Sequence, residues 1–396
     1  MLVRMLVILG IAVLLAGCAV SSREEAAVIP PAPSEGRGAD LGLGPGVRPL
    51  SAGPGNKSSP SWSPDGERIA YVLDGYVVDK PLFTQDYRRR TARDLGAEEV
   101  HWTSGHTLTI LAPDQTADTP LSEPLAEVPE IKTRSVYQTS SEGEIEIDRI
   151  TDRVLAMTPL PPGGYTLASV IDAALENRLA IISSGEELGR LPLTGIEGRV
   201  TALSASPDGR QVILAAQDVP GNGPVRLYLL DFPAGTPRLL TQLPPELRLL
   251  GDPQWTTHGI YYIAGEERDS DAAAYSLYRL PPNSPAPESV AAVGRDFVPA
   301  SVKAAPDGER LAIVGRRNPA SPTNLYVLNP GSGRIEAVTS NENMDIKISP
   351  TDLAWSPDGR HIAIVARSAS TAPAVYDTQA SSLIRDFYNI YRVPAP

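Results

Sequence analysis

Five side chains in this sequence of 396 residues have the chemistry of a soft metal ligand or of a thiol or imidazole catalyst: Cys18, His101, His106, His258 and His361. A lone cysteine excludes an intramolecular disulfide and any metal site built on paired cysteines. His106 and His258 fall in the turn-like stretches Trp102-Thr103-Ser104-Gly105-His106 and Trp255-Thr256-Thr257-His258-Gly259, His101 precedes a tryptophan, and His361 opens an apolar run. None of these positions reproduces a ligand spacing, so turn and strand roles are the expectation. The acidic run Glu266-Glu267-Arg268-Asp269-Ser270-Asp271 lacks the glycine and distal glutamate of a calcium loop and reads as solvated. No Gly-x-Ser-x-Gly elbow occurs. The residues therefore predict no catalytic constellation, no cofactor and no metal.

Cys18 is the exception, because of what precedes it. One early positive charge, Arg4, an apolar run from Met5 to Leu15, and the small residues Ala16-Gly17 describe a secretory signal over residues 1–17. The run is shorter than the roughly 20 residues of a spanning helix. Leu15-Ala16-Gly17-Cys18 resembles the bacterial lipobox. That resemblance implies a diacylglyceryl thioether on Cys18 and an acylated new N-terminus, an anchor of about 0.8 kcal/mol per buried CH₂. Ala19, in place of Asp, matches the pattern sorted to the outer membrane in diderm cells. In a monoderm cell the same anchor implies the outer face of the plasma membrane. Residues 18–45, rich in Ser, Pro, Gly and Glu and including Ile29-Pro30-Pro31-Ala32-Pro33, read as a flexible tether able to stretch to roughly 90 Å.

The remainder must position whatever the chain binds. Hydrophobic residues make up 42%, enough for a sizeable core, while 39 prolines and 33 glycines favour short strands and many turns. A net charge of −12 argues against nucleic acid, which needs concentrated Lys and Arg. Trp62-Ser63-Pro64-Asp65-Gly66 returns as Trp355-Ser356-Pro357-Asp358-Gly359, with weaker copies at Ala205-Ser206-Pro207-Asp208-Gly209 and Ala305-Pro306-Asp307-Gly308. In each, proline presets the second turn position, Asp tolerates the third and Gly takes the left-handed position beyond. Degenerate copies fill the gaps, placing one slot at positions 62, 102, 157, 205, 255, 304 and 355, 40 to 55 residues apart. All four tryptophans occupy that slot, where packing between repeats is the expected role. Further on come the apolar-Tyr pairs Val136-Tyr137, Leu227-Tyr228, Leu277-Tyr278, Leu325-Tyr326 and Ile390-Tyr391, and then a strand usually closing on Thr, as at Thr151, Thr194, Thr241 and Thr339.

These residues resemble the TolB-type propeller repeat (the PD40 group, WD40-like) across about residues 46–396. The resemblance implies an all-β fold: one β-propeller of about seven four-stranded blades, with six and eight left open. The last repeat has no fourth strand, and Val47-Arg48-Pro49-Leu50-Ser51 resembles it. An N-terminal strand is therefore predicted to pair with the last blade and close the ring, its edge covered.

In such a ring the Pro-Asp-Gly hairpins lie on one face and the loops joining second to third strands on the other. The latter, at about 112–133, 216–223, 265–274, 315–322 and 366–387, are the longest and least repetitive. Candidate partner-binding residues there are Arg268, Asp269, Arg316, Arg317, Arg367, Arg385 and Asp386. The run Arg88-Arg89-Arg90 is expected to decorate an outer edge strand.

The family likeness implies a monomeric binding module that contacts an envelope protein or a cell-wall component. TolB-type domains act this way in the Tol–Pal system. The lipobox, the tether, the missing N-terminal α/β domain and a seventh blade all depart from TolB, so membership of that complex does not follow. A sensory accessory lipoprotein, like those paired with sensor kinases in actinobacteria, is a variant of the same class. An enzyme acting on polysaccharide, lyase or hydrolase-like, is the rival, since some related propellers hold a metal on clustered histidines. A purely structural envelope protein is the third alternative. Titratable residues gathered at the mouth of the central channel favour an enzyme; apolar and small residues there disfavour it.

Overall fold

The computed structural model describes residues 43–396 except 83, 85, 92–94, 114–132, 143–146, 162, 173, 219–222, 267–273, 282–285, 291–295, 342–343 and 369–386. Seven antiparallel blades follow one another. Blade one is Lys57–Trp62, Arg68–Leu73, Tyr76–Pro81 and Arg88–Arg89; blade four is Arg199–Ala205, Gln211–Gln217, Val225–Asp231 and Arg238–Gln242. Blade five is Leu247–Thr256, Gly259–Glu266, Ala274–Leu280 and Glu288–Ser289; blade six is Val298–Ala304, Leu311–Arg316, Asn324–Asn329 and Arg334–Ala337. The predicted slot closes or nearly closes the innermost strand of each blade. Second strands such as Val212–Ala216 and Ile362–Ala366 are continuous apolar runs, because both faces of a blade are covered by neighbours. Ile362, Ile364 and Ala366 pack towards blade six, while Ala363 and Val365 pack with Trp62 and Ile69 of blade one.

Blades two and three depart from four separate strands each. Glu99–Trp102, Thr107–Pro113 and Arg134–Ser140 share the 14-residue strand Ile147–Leu160 with Tyr165–Ile171, Asn177–Ser183 and Glu186–Pro192, giving one seven-stranded sheet. Its first half is the outer strand of blade two and its second half the inner strand of blade three. Between them Arg153 takes a left-handed backbone (φ 55°), an uncommon state for a side chain of that size. No turn signal in the sequence marks this passage.

The slot tryptophans weld the ring. Each indole N–H donates to a carbonyl of the preceding blade, one residue before that blade's own slot. The pairs are Trp62 to Ala354 (3.2 Å), Trp102 to Ser61 (3.1 Å), Trp255 to Ser204 (3.0 Å) and Trp355 to Lys303 (2.9 Å). The first of these crosses from blade one to blade seven. The Pro-Asp-Gly hairpins are built as predicted: Gly66 N–H donates to Ser63 O at 2.8 Å, with Gly66 at φ 74°. The Asp65 carboxylate accepts both the Ser63 hydroxyl and Glu67 N–H.

Closure is also as predicted. Arg48 pairs with Arg392 and Pro49 with Tyr391, so strand Arg48–Pro49 completes blade seven beside Asn389–Pro394. In two blades the Thr ending of the outer strand is a lock. Thr91 Oγ1 accepts Val77 N–H at 3.1 Å and Thr339 Oγ1 accepts Leu325 N–H at 2.9 Å. Ser51 Oγ accepts Ile390 N–H at 2.8 Å in the same place on the third strand of blade seven. Two buried lysines pin the chain around this clasp: Lys57 Nζ donates to Gly53 O (2.5 Å) and Gly55 O (2.7 Å), and Lys80 Nζ to Leu50 O (2.5 Å).

The basic run is split at the end of the edge strand Arg88–Arg89. Arg88 and Arg89 lie exposed on the outer strand as expected, but Arg90 is buried. It pairs with the fully buried Asp79, which also takes Arg68, and reaches Ser141 O of blade two.

Candidate functional site at the channel mouth

The innermost strands begin on the face that carries the second-to-third loops and end at the Pro-Asp-Gly hairpins. Three residues before the slot, the seven blades contribute Ser59, Glu99, Val154, Ala202, Asp252, Ser301 and Asp352. At this level the ladder to the second strand slips in five blades: between Ser58 and Ser61, Val154 and Ala156, Val200 and Ala202, Leu250 and Gln254, and Pro299 and Ser301. Bulges of this kind re-aim side chains. Blade seven carries the largest departure. Met344–Ile346 and Leu353–Trp355 both pair with His361–Ser368, and residues 348–352 between them leave the ladder after Lys347 N–H bonds Val365 O at 2.9 Å.

That excursion crosses the opening. Its turn Pro350–Asp352 puts Pro350 against Gly251 of blade five, where an added Cβ would sit 2.7 Å from Pro350 Cγ. Gly251 also holds φ 73°, so glycine is needed there for conformation and for space. On the other side the Asp352 carboxylate accepts Ser59 N–H of blade one at 2.8 Å, with Lys347 Nζ at 3.5 Å. Ser59, at φ 49°, offers its hydroxyl oxygen to Val100 N–H of blade two at 3.0 Å. A cavity of about 500 Å³ lies between the excursion (Lys347, Ile348, Ser349, Thr351, Asp352), Ser58, Glu98 and Glu99.

Glu99, His101, Asp252 and Lys303, from blades two, five and six, feel one another's charges across the channel. His101 Nε2 lies 3.3 Å from Glu99 Oε2. Burial pushes the Glu99 carboxyl up, but the bond to His101 and the charges of His101, Lys303 and Arg134 outweigh it and hold Glu99 below the usual range. Asp252 goes the other way. Burial, with Glu99 repelling it, pushes its carboxyl up to about 6, although Lys303 and Leu203 N–H act against the shift. Two carboxyls on one channel are thus driven apart in proton affinity, the pattern found where acid and base roles diverge.

The raised proton affinity of Asp252 has a measurable consequence. It exceeds the unfolded value, so the group costs stability as pH rises from about 4 to about 6, and the cost is complete above 6. Asp252→Asn is expected to stabilise the protein by about 1–3 kcal/mol at pH 7, since each tenfold change in proton affinity is worth about 1.4 kcal/mol. The gain should vanish near pH 4, as read by urea unfolding at the two pH values.

Of the residues singled out from sequence, Arg367 joins this mouth. Its Nε lies 3.0 Å from Asp345 Oδ2 and its guanidinium stacks 4.6 Å from the Tyr388 ring centre. Tyr388 donates its hydroxyl to the same Asp345 oxygen at 2.5 Å, and burial followed by that carboxylate pushes it up to about 12. Lys347 Nζ lies 5.0 Å from the Tyr388 ring centre. Arg367 is therefore part of a knit rim, rather than the separate loop residue expected. Arg316 and Arg317 are exposed on blade six, and Arg316 Nε donates to Thr323 Oγ1 of its own loop at 3.2 Å. Arg268, Asp269, Arg385, Asp386 and Cys18 lie outside the described residues. His106 and His258 sit in hairpin turns, facing Glu142 (3.1 Å) and Glu309 (3.5 Å). Among the described residues no three His, Cys, Asp or Glu side chains are placed to hold a metal, and no helix is long and apolar enough to cross a membrane.

Sequence reasoning missed Glu99, Asp252, Lys303, Asp345, Lys347, Asp352 and Tyr388. A signal for three of them was present: aligned on the slot, Glu99, Asp252 and Asp352 share one repeat position.

No protein-family model matches the sequence, and no curated protein matches it. Among solved structures, the propeller domain of the trilobed protease from Pyrococcus furiosus superposes with a TM-score of 0.54 at 11% identity, over 80% of this chain and 92% of that one. That domain is described as having an open velcro topology. The acylaminoacyl peptidase of Pyrococcus horikoshii gives 0.48 at 14% identity, over 82% of this chain, which spans about half (51%) of that one. A protein described as TolB from Agrobacterium tumefaciens gives 0.41 at 12%, over 87% and 91%. The chain is a β-propeller.

Proposed function

We propose that this chain is a lipid-anchored, extracytoplasmic binding module that recognises an envelope protein or cell-wall component with its channel-mouth face. The observation that carries the reading is the gathering of non-repetitive features on that face. The excursion 348–352, the half-exposed Ile348 (52%), the 500 Å³ cavity and the Arg367–Asp345–Tyr388 rim all lie there. The opposite face repeats one hairpin. Anchoring rests on Leu15-Ala16-Gly17-Cys18, and a tether lets a weak interface act at high local concentration. Cys18→Ser is expected to move the protein from the membrane to the soluble fraction and to abolish labelling by a radioactive fatty acid. Retention in the membrane with full labelling would refute the anchor. Shortening loop 366–387 should remove crosslinks to the partner in intact membranes, while Cys18→Ser should only weaken them.

A second reading, a propeller enzyme acting on polysaccharide, draws on the divergent carboxyls Glu99 and Asp252 with His101 and Lys303 beside them. In it Asp252 holds the proton to be donated and Glu99 stays ionised. The test is release of new reducing ends or unsaturated sugars from acidic and neutral cell-wall polysaccharides, lost in Asp252→Asn.

A further inference from the structure

The excursion 348–352 spans the mouth yet is not part of the fabric of its blade. The strands on either side, Met344–Ile346 and Leu353–Trp355, are laddered independently to His361–Ser368. Ladder bonds therefore survive if the five residues between them move. The ties across the opening are Asp352 on Ser59 N–H (2.8 Å) and Pro350 resting on Gly251, while a third tie, Lys347 on Asp352 (3.5 Å), stays within blade seven. The first is a hydrogen bond to a charged group, the strongest kind among the three. Asp352 N–H bonds back to Ser349 O at 3.0 Å and Ser349 Oγ lies 2.9 Å from Thr351 Oγ1. The turn is thus stitched to itself and can move as a unit. Glu99 lines the cavity beneath it, with His101, Asp252 and Lys303 close enough to feel its charge.

We propose that residues 348–352 are a gate over the central channel, hinged at Lys347 and Leu353 and latched by Asp352 on Ser59. This rests on the channel-mouth face being the recognition face. It adds that a ligand or partner element entering there first displaces the turn. Ser59 sits at φ 49°, outside the ordinary strand region, and in that backbone state its N–H meets the Asp352 carboxylate. An equilibrium between closed and open mouths then exchanges the Asp352–Ser59 hydrogen bond and the Pro350–Gly251 contact for solvent.

The experiment places a thiol in the cavity beneath the gate: Glu99→Cys in a full-length Cys18→Ser chain, which has no other cysteine. The labelling rate with a bulky maleimide is read on the purified protein with no partner present. Two substitutions loosen the gate from opposite sides. Asp352→Asn weakens the latch, and Gly251→Leu wedges Pro350 away. Each is expected to raise the labelling rate about ten- to a hundred-fold, the range spanned by a hydrogen bond to a charged group, while the melting temperature moves by only a few degrees. Unchanged rates in both variants overturn the gate. So does a rise that merely tracks global unfolding, seen as equal labelling of a cysteine placed at Ala168 in the core of blade three. Because no partner is present, the gate can fail while recognition by the face stands, and the reverse.

Discussion

Deleting residues 46–51 is expected to lower the unfolding free energy by about 4–7 kcal/mol. Val47 is fully buried and Leu50 nearly so, and burying such side chains is worth about 1.5–3 kcal/mol each. The Ser51 hydroxyl on Ile390 N–H adds about 1 kcal/mol. A total stability of about 5–15 kcal/mol leaves little after that loss. The deletion also strips strand Asn389–Pro394 of its neighbour, exposing donors and acceptors at a sheet edge. Melting should therefore drop by more than about 10 °C, and gel filtration should show concentration-dependent association. Ser51→Ala alone should cost about 1–2 kcal/mol without association. Unchanged melting of the deletion would mean that the ring closes without its N-terminal strand.

Asp79→Asn should be the most damaging single conservative substitution in blade one. The carboxylate is fully buried between Arg68 and Arg90, and Arg90 itself is 2% exposed while spanning to Ser141 O of blade two. Removing one member of a buried charge set strands the others, at a cost of about 3–5 kcal/mol. Arg68 can turn towards solvent; Arg90 cannot without leaving the blade interface. Replacing Asp79 by Leu together with Arg90 by Met should restore most of the loss, because the desolvation cost disappears with both charges. Urea unfolding of the three proteins decides it. A loss below about 1 kcal/mol in Asp79→Asn would show that the arginines are solvated.

The features legible in the sequence are the ones that repeat. Ser-Pro-Asp-Gly turns, slot tryptophans and Thr-ended strands recur because each blade solves the same packing problem, so the ring and its Val47–Ser51 clasp could be read from the sequence. The strand shared by blades two and three could not, because Ile147–Leu160 carries no turn residue at Arg153. Arg90 was misplaced because the edge strand stops at Arg89, and a run of three arginines hides that the third, just beyond the strand, turns inward to Asp79. The channel mouth was largely illegible for a different reason. Glu99, Asp252 and Lys303 are far apart in sequence, and only ring closure brings their charges together. The excursion 348–352 reads as an ordinary loop until Pro350 is seen against Gly251.

The central claim is that one face of the propeller does the recognising. It is tested most directly by installing a photo-crosslinking residue at single sites in the membrane-anchored, full-length protein. Arg316 and Ile348 represent the channel-mouth face; Arg210 and Arg360 represent the hairpin face. A discrete crosslinked species is expected from positions 316 and 348 and none from 210 and 360. Crosslinks from the hairpin face alone, or equally from both faces, would contradict the claim.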